Sequence, residues 1–131
     1  MTLKSQGNST SIANTGVILD PIGVTVHLTP AVAIDFEMVV IDQVAPKPSN
    51  TGLIVDPGII YNAGPVALGL RLAFQPAGAP NQPASVGLIP LVNRGLVSFG
   101  PATWFAEVAF PTFIIDNGVQ FNVVLHTGIG F

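Results

Sequence analysis

The segment VALGLRLAFQ, residues 66–75, decides the fold class. Val66, Leu68, Leu70, Leu72 and Phe74 alternate with Ala67, Gly69, Arg71, Ala73 and Gln75, a period of two that belongs to a strand and not to a helix. The same period recurs on both sides. Val24, Val26 and Leu28 alternate with Thr25, His27 and Thr29, and Ile34, Phe36 and Met38 alternate with Asp35 and Glu37. Near the end, Phe121, Val123 and Leu125 alternate with Gln120, Asn122 and His126. Each of these segments is expected to turn its apolar phase to a core and its polar phase to solvent. Shorter candidates at 17–19, 53–55, 86–91, 95–99 and 103–110 bring the expectation to eight or nine strands. Fourteen Gly and twelve Pro, spread along 131 residues, leave little room for a helix of ordinary length. The reading is a single-domain, all-β protein, an antiparallel β-sandwich or jelly roll.

An internal echo offers an alternative. NTGVILDP at 14–21 returns as NTGLIVDP at 50–57, an offset of 36 residues. At that offset Ile34, Phe36 and Met38 fall on Leu70, Leu72 and Phe74, and then on Ala106, Val108 and Phe110. Either similar strands and turns have converged, or a β unit is repeated, and three units would permit a β-trefoil. The repeated Asp-Pro steps, Asp20-Pro21 and Asp56-Pro57, suggest turns shaped by the Asp side chains. The stretches 45–50 and 76–84 are Pro-rich loops, and Asp116-Asn117-Gly118 suits a tight turn. Residues 1–14 are polar and lack the apolar core of a secretion signal, so a flexible arm is expected ahead of a β domain at 15–131.

Composition bounds the partners. Apolar residues make up 49% of the chain and charged ones only 8%, against about 25% in ordinary soluble domains. A surface so poor in charge implies cover by other subunits. Since one face of each alternating strand is already assigned to a core, the surplus apolar residues should lie on second faces, at Val39, Ile41, Ala67, Ala73 and Val124. No apolar run reaches the roughly 18 to 20 residues of a membrane helix, so no membrane partner is expected. Four basic residues (Lys4, Lys47, Arg71, Arg94) and a net charge of −3 cannot neutralise a phosphate backbone, which argues against nucleic acid. There is no Cys for a disulfide, a thiolate metal site or a nucleophile.

Catalytic signals are absent. His27 and His126 have no metal-ligand partner at readable spacing, and no phosphate loop, dinucleotide fingerprint or nucleophile elbow occurs. Asp35 and Glu37, two apart on one strand face, could bind Ca²⁺ or serve acid–base hydrolysis, but a solvated strand face is the expected role. Trp104, Tyr61 and the eight Phe could stack on sugars, although Trp104 shares the phase of Ala106 and Val108 and is expected in the core. Hence no enzyme, no cofactor, no metal and no catalytic residue is expected.

The closing segment FIIDNGVQFNVVL, residues 113–125, with Thr51-Gly52 ahead of Gly58-Ile59-Ile60-Tyr61, resembles the tumour-necrosis-factor/C1q-like jelly rolls. That resemblance implies a homotrimer whose apolar strand faces meet on a threefold axis. By type, a charge-poor, Gly- and Pro-rich β domain with a polar arm is similar to the capsid decoration, or cement, proteins of tailed bacteriophages. The implied function is a non-enzymatic virion structural protein, assembled in the host cytoplasm, that packs on the major capsid protein or other virion subunits. Its interface would include Ser5, Ser9, Thr10, Val39, Ile41, Val124, His126, Ile129 and Phe131. A carbohydrate-binding or adhesive β module is the alternative.

Overall fold

The computed structural model describes the backbone of residues 2–6, 9–13, 16–45, 49–76, 84–116 and 118–131. Side chains are described for 19–42, 52–76, 84–116 and 118–131. The chain is all-β, as its alternation indicated. The strands are β1 (Thr2–Gln6), β2 (Ser9–Ala13), β3 (Gly16–His27), β4 (Val32–Ala45), β5 (Ser49–Asn62) and β6 (Ala67–Gln75). They continue with β7 (Ser85–Phe99), β8 (Ala102–Ala109), β9 (Thr112–Ile115), β10 (Gly118–Asn122) and β11 (Val124–Gly130).

All eleven belong to one antiparallel sheet in the order β2-β1-β10-β9-β7-β6-β5-β4-β3, with β8 between β7 and β11. The sheet curls into a half-barrel, consistent with an all-β domain of the sandwich or jelly-roll kind. β8 and β9 form one file opposite β7, broken where Pro111 has no N–H to give the ladder. The Phe110 N–H still reaches Pro90 O at 2.9 Å across that break. β10 and β11 form the next file, with the Asn122 N–H on Pro111 O at 2.8 Å.

Several expectations change. The 17–19 segment and 24–27 merge into β3, which ends before Leu28, and 53–55 becomes the middle of β5. Both Asp-Pro steps therefore lie inside strands, not at turns. Pro21 is tolerated on β3, which among the described residues has a partner on one side only. Pro57 coincides with a gap in the β5–β6 ladder between the Val55↔Phe74 and Gly58↔Arg71 pairs. Thr2–Gln6 and Ser9–Ala13 form β1 and β2 of the sheet. Ser5, Ser9 and Thr10 lie on these strands, and their side chains are outside the described residues. So are most of the two Pro-rich loops and Asn117. The 36-residue offset equals two strands of the up-and-down sheet and not a trefoil unit.

The largest correction concerns which phase is inside. Val24, Leu28, Ile34, Phe36, Leu70, Leu72, Phe74 and Leu125 are all exposed on the convex side. Trp104 is 44% exposed, not buried in a core. The buried cluster is Val39, Ile54, Ala73, Ile89, Leu91, Ala109 and Phe113, with Leu19, Ile41, Ile60, Ile115 and Val124 packed against it. Thus Val39 and Ala73, expected on free second faces, belong to the core, and Ile41 and Val124 pack against it. Side chains converge on the inside of a curl, so the inward groups pack against one another.

Ala73 and Leu72 separate the two assignments. Leu72 is 50% exposed and Ala73 is fully covered. Leu72→Ala should cost less than about 1 kcal/mol, while Ala73→Leu should cost about 1–3 kcal/mol by overpacking. Denaturant midpoints of the two variants check this; a core Leu72 would instead lose about 2–5 kcal/mol.

Candidate functional site

The 36-residue offset brings three charged residues together. Asp35 on β4, Arg71 on β6 and Glu107 on β8 are successive members of the series, and all three point into the curl. The strands between them, β5 and β7, carry Gly58 and Ile89 opposite Arg71. Gly58 is also the partner of Asp35, so it stands between acid and base. A Cβ there would lie 2.5 Å from Arg71 Cγ and 2.6 Å from Leu70 O. Only glycine leaves room for the Arg71 side chain to cross β5 toward β4.

The guanidinium is spread over three carboxylates. Arg71 Nε and Nη2 donate to Asp35 Oδ2 at 2.7 and 2.6 Å. Arg71 Nη1 donates to Glu37 Oε2 at 2.8 Å and lies 3.4 Å from Glu107 Oε1. The outer oxygens are also used: Thr25 Oγ1 donates to Asp35 Oδ1 at 2.6 Å, and Asn93 Nδ2 to Glu107 Oε2 at 3.1 Å. His126 Nδ1 lies 3.7 Å from Glu107 Oε1, and its ring meets Phe105 edge to face. Arg71, Asp35 and Glu107 are buried, and the Glu37 side chain is almost covered. The fork geometry of arginine suits this task, since one planar cation can serve several acceptors at fixed angles.

Asp56 completes the cluster and upsets its balance. It pairs across the ladder with Glu37, is 1% exposed, and its Oδ1 has no hydrogen-bond partner. His126 Nε2 is likewise buried without a partner. Four acids therefore share one guanidinium, and an unpartnered buried carboxyl oxygen is unfavourable. No group of three or more His, Cys, Asp or Glu among the described residues is arranged to hold a metal ion. The cluster lies close to the buried apolar residues, while His27, Ala33, Ile60, Asn62 and Asn93 line a shallow opening of about 180 Å³ at one end of the curl.

Sequence reasoning reached part of this. Asp35 and Glu37 were correctly placed on one strand face, but that face is buried and not solvated. Arg71, Asp56 and Glu107 were missed as site residues, although the offset that links Ile34, Leu70 and Ala106 also links the residues after them. Of the expected interface, Val39, Ile41, Val124 and His126 lie on the concave wall, which is filled by this chain itself. Ile129 and Phe131 are exposed, at 58% and 99%.

The cluster makes three variants informative. Arg71→Met should cost about 3–5 kcal/mol in a denaturant titration, because Asp35 and Glu107 are left buried without a counter-charge. Adding Asp35→Asn to it should restore part of the loss. Gly58→Ala should cost about 1–3 kcal/mol through displacement of Arg71, whereas Asp56→Asn should be neutral or stabilising. No family model, curated protein or solved structure matches this chain, and its role has to be read from the charged interior and the apolar exterior.

Proposed function

We propose that this sheet is the wall of a membrane-spanning antiparallel β-barrel, with lipid against its convex face and the Arg71 cluster holding its interior. The observation that carries the reading is the inversion of burial. Asp35, Asp56, Arg71 and Glu107 are inside, while Phe36, Met38, Leu70, Leu72, Leu88 and Ile114 face out. Alternation with apolar residues outward and polar ones inward is the pattern of strands that cross a bilayer.

Other features support it. Such strands need about 9–11 residues when tilted by roughly 45°, and β3 to β7 have 9 to 15. Antiparallel hairpins between neighbours satisfy backbone groups within the wall, as an apolar surrounding demands. Ile22, Ile59, Leu70, Leu72 and Ile114 are each at least half exposed and make the outer face apolar. In water such an apolar surface would drive association. The interior is filled by Val39, Ile54, Leu91, Phe113 and the ion pairs, which favours a structural or anchoring wall over a wide aqueous channel.

A homotrimer of the capsid-decoration kind would cover the same face with protein. Trp104, the single tryptophan, distinguishes the two. Its ring is on the convex side with Nε1 donating to Thr127 Oγ1. In phosphatidylcholine vesicles carrying brominated acyl chains, its emission should be strongly quenched and shifted to the blue. A lipid-free homotrimer with Trp104 already shielded, and no quenching when vesicles are added, would overturn the membrane reading.

A further inference from the structure

We infer that the sheet accepts one more strand, from outside residues 1–131, between β3 and β11. The inference goes beyond the membrane reading, since it rests on strand directions and not on what covers the convex face. Among the described residues β11 pairs with β8 alone and β3 with β4 alone, so each has an edge with no described partner. From β11 through β8, β7, β6, β5 and β4 to β3, every step is antiparallel. Six reversals leave β3 and β11 running in the same direction.

The other path around the sheet brings these edges near each other. β10 leads into β11, β1 pairs antiparallel with β10, and β2 pairs antiparallel with β1. β2 thus runs with β10, and only Asn14 and Thr15 separate Ala13 from Gly16, where β3 begins. Three Cα steps span at most about 11 Å. The β2–β3 file and the β10–β11 file are therefore one strand apart where β1 lies between them. Thr2 on β1 is opposite both Asn122 and Ala13. Past that level the two files continue as 124–130 and 16–27, with no strand among the described residues between them.

Two edges that point the same way cannot pair antiparallel with each other. A single strand running the opposite way, in line with β1, pairs antiparallel with both. Every strand among the described residues already has a place in the sheet, which leaves this slot to a strand from outside them. Its chemistry follows from its neighbours. Outward positions beside Val24, Val26, Leu125 and Ile129 call for apolar side chains, and inward positions beside Thr25 and Gly128 call for small or polar ones.

The test uses the full chain in detergent micelles with a synthetic ten-residue peptide of alternating Val and Thr. A peptide of the same composition in blocks is the control. Hydrogen exchange of 19–27 and of 124–130 should slow together, by roughly tenfold or more, with the alternating peptide only. With Ile129→Cys as the single thiol of the chain, a peptide Cys near its N-terminus should cross-link faster than one near its C-terminus. Slowing at one edge, equal slowing by the block peptide, or the reverse cross-linking preference would overturn the inference. So would protection of both edges without peptide that rises with protein concentration, which would mean that a second copy occupies them.

Discussion

Arg71 is the interaction on which the interior depends. Its guanidinium ties β6 to β4 through Asp35 and Glu37, and reaches β8 through Glu107. Those strands are second neighbours, so the contacts run across the hollow of the curl and not along the ladder. Backbone hydrogen bonds fix each strand to its immediate neighbour and permit a range of curvature. A side chain that spans from β4 to β8 does not. The charged contacts thus act on the curvature itself, and their removal would leave the ladder intact while relaxing the curl.

The proposed lipid contact would account for polar residues standing where an apolar core would be simpler. A chain whose exterior meets hydrocarbon gains nothing from turning more apolar residues inward, because the hydrophobic effect operates only against water. Interior polar contacts then supply the difference between inside and outside. The same alternation in water would drive Leu70, Leu72 and Phe74 together, and the sheet would fold the other way round. The solvent of the convex face therefore decides whether this arrangement is the stable one.

The sequence made the strands legible because a period of two survives in either arrangement. It did not make the phase legible. Leu68, Leu70 and Leu72 look the same whether they face a core or a lipid, and buried charges are rare enough that Asp35, Glu37 and Arg71 were expected in water. The signal that could have reversed the assignment was the company Arg71 keeps: Ala67, Gly69 and Ala73 share its phase, and a solvated face has no need of such small residues. Asp20 and Asp56 show how a motif can mislead. Both copies read Asp-Pro, yet Asp20 is exposed on β3 and Asp56 is buried on β5, because the offset of 36 changes phase between these two strands. It keeps phase between β4, β6 and β8, which is why the charged series meets and the Asp-Pro pair does not.

Size is graded across the wall for a geometric reason. On the concave side of a curled sheet the side chains of neighbouring strands converge, and on the convex side they diverge. Gly58 lies under Arg71, and Gly128 lies where a Cβ would be 2.8 Å from the Phe105 ring. Each glycine makes space for one large inward group on the next strand, so the interior is filled by a few long side chains over a floor of small ones. Outside, Phe36, Phe74 and Trp104 occupy the diverging space without competing for it. A tighter curl would need still smaller inward residues, and a flatter one would separate Arg71 from Asp35 and Glu107. The curvature is set where these two demands meet.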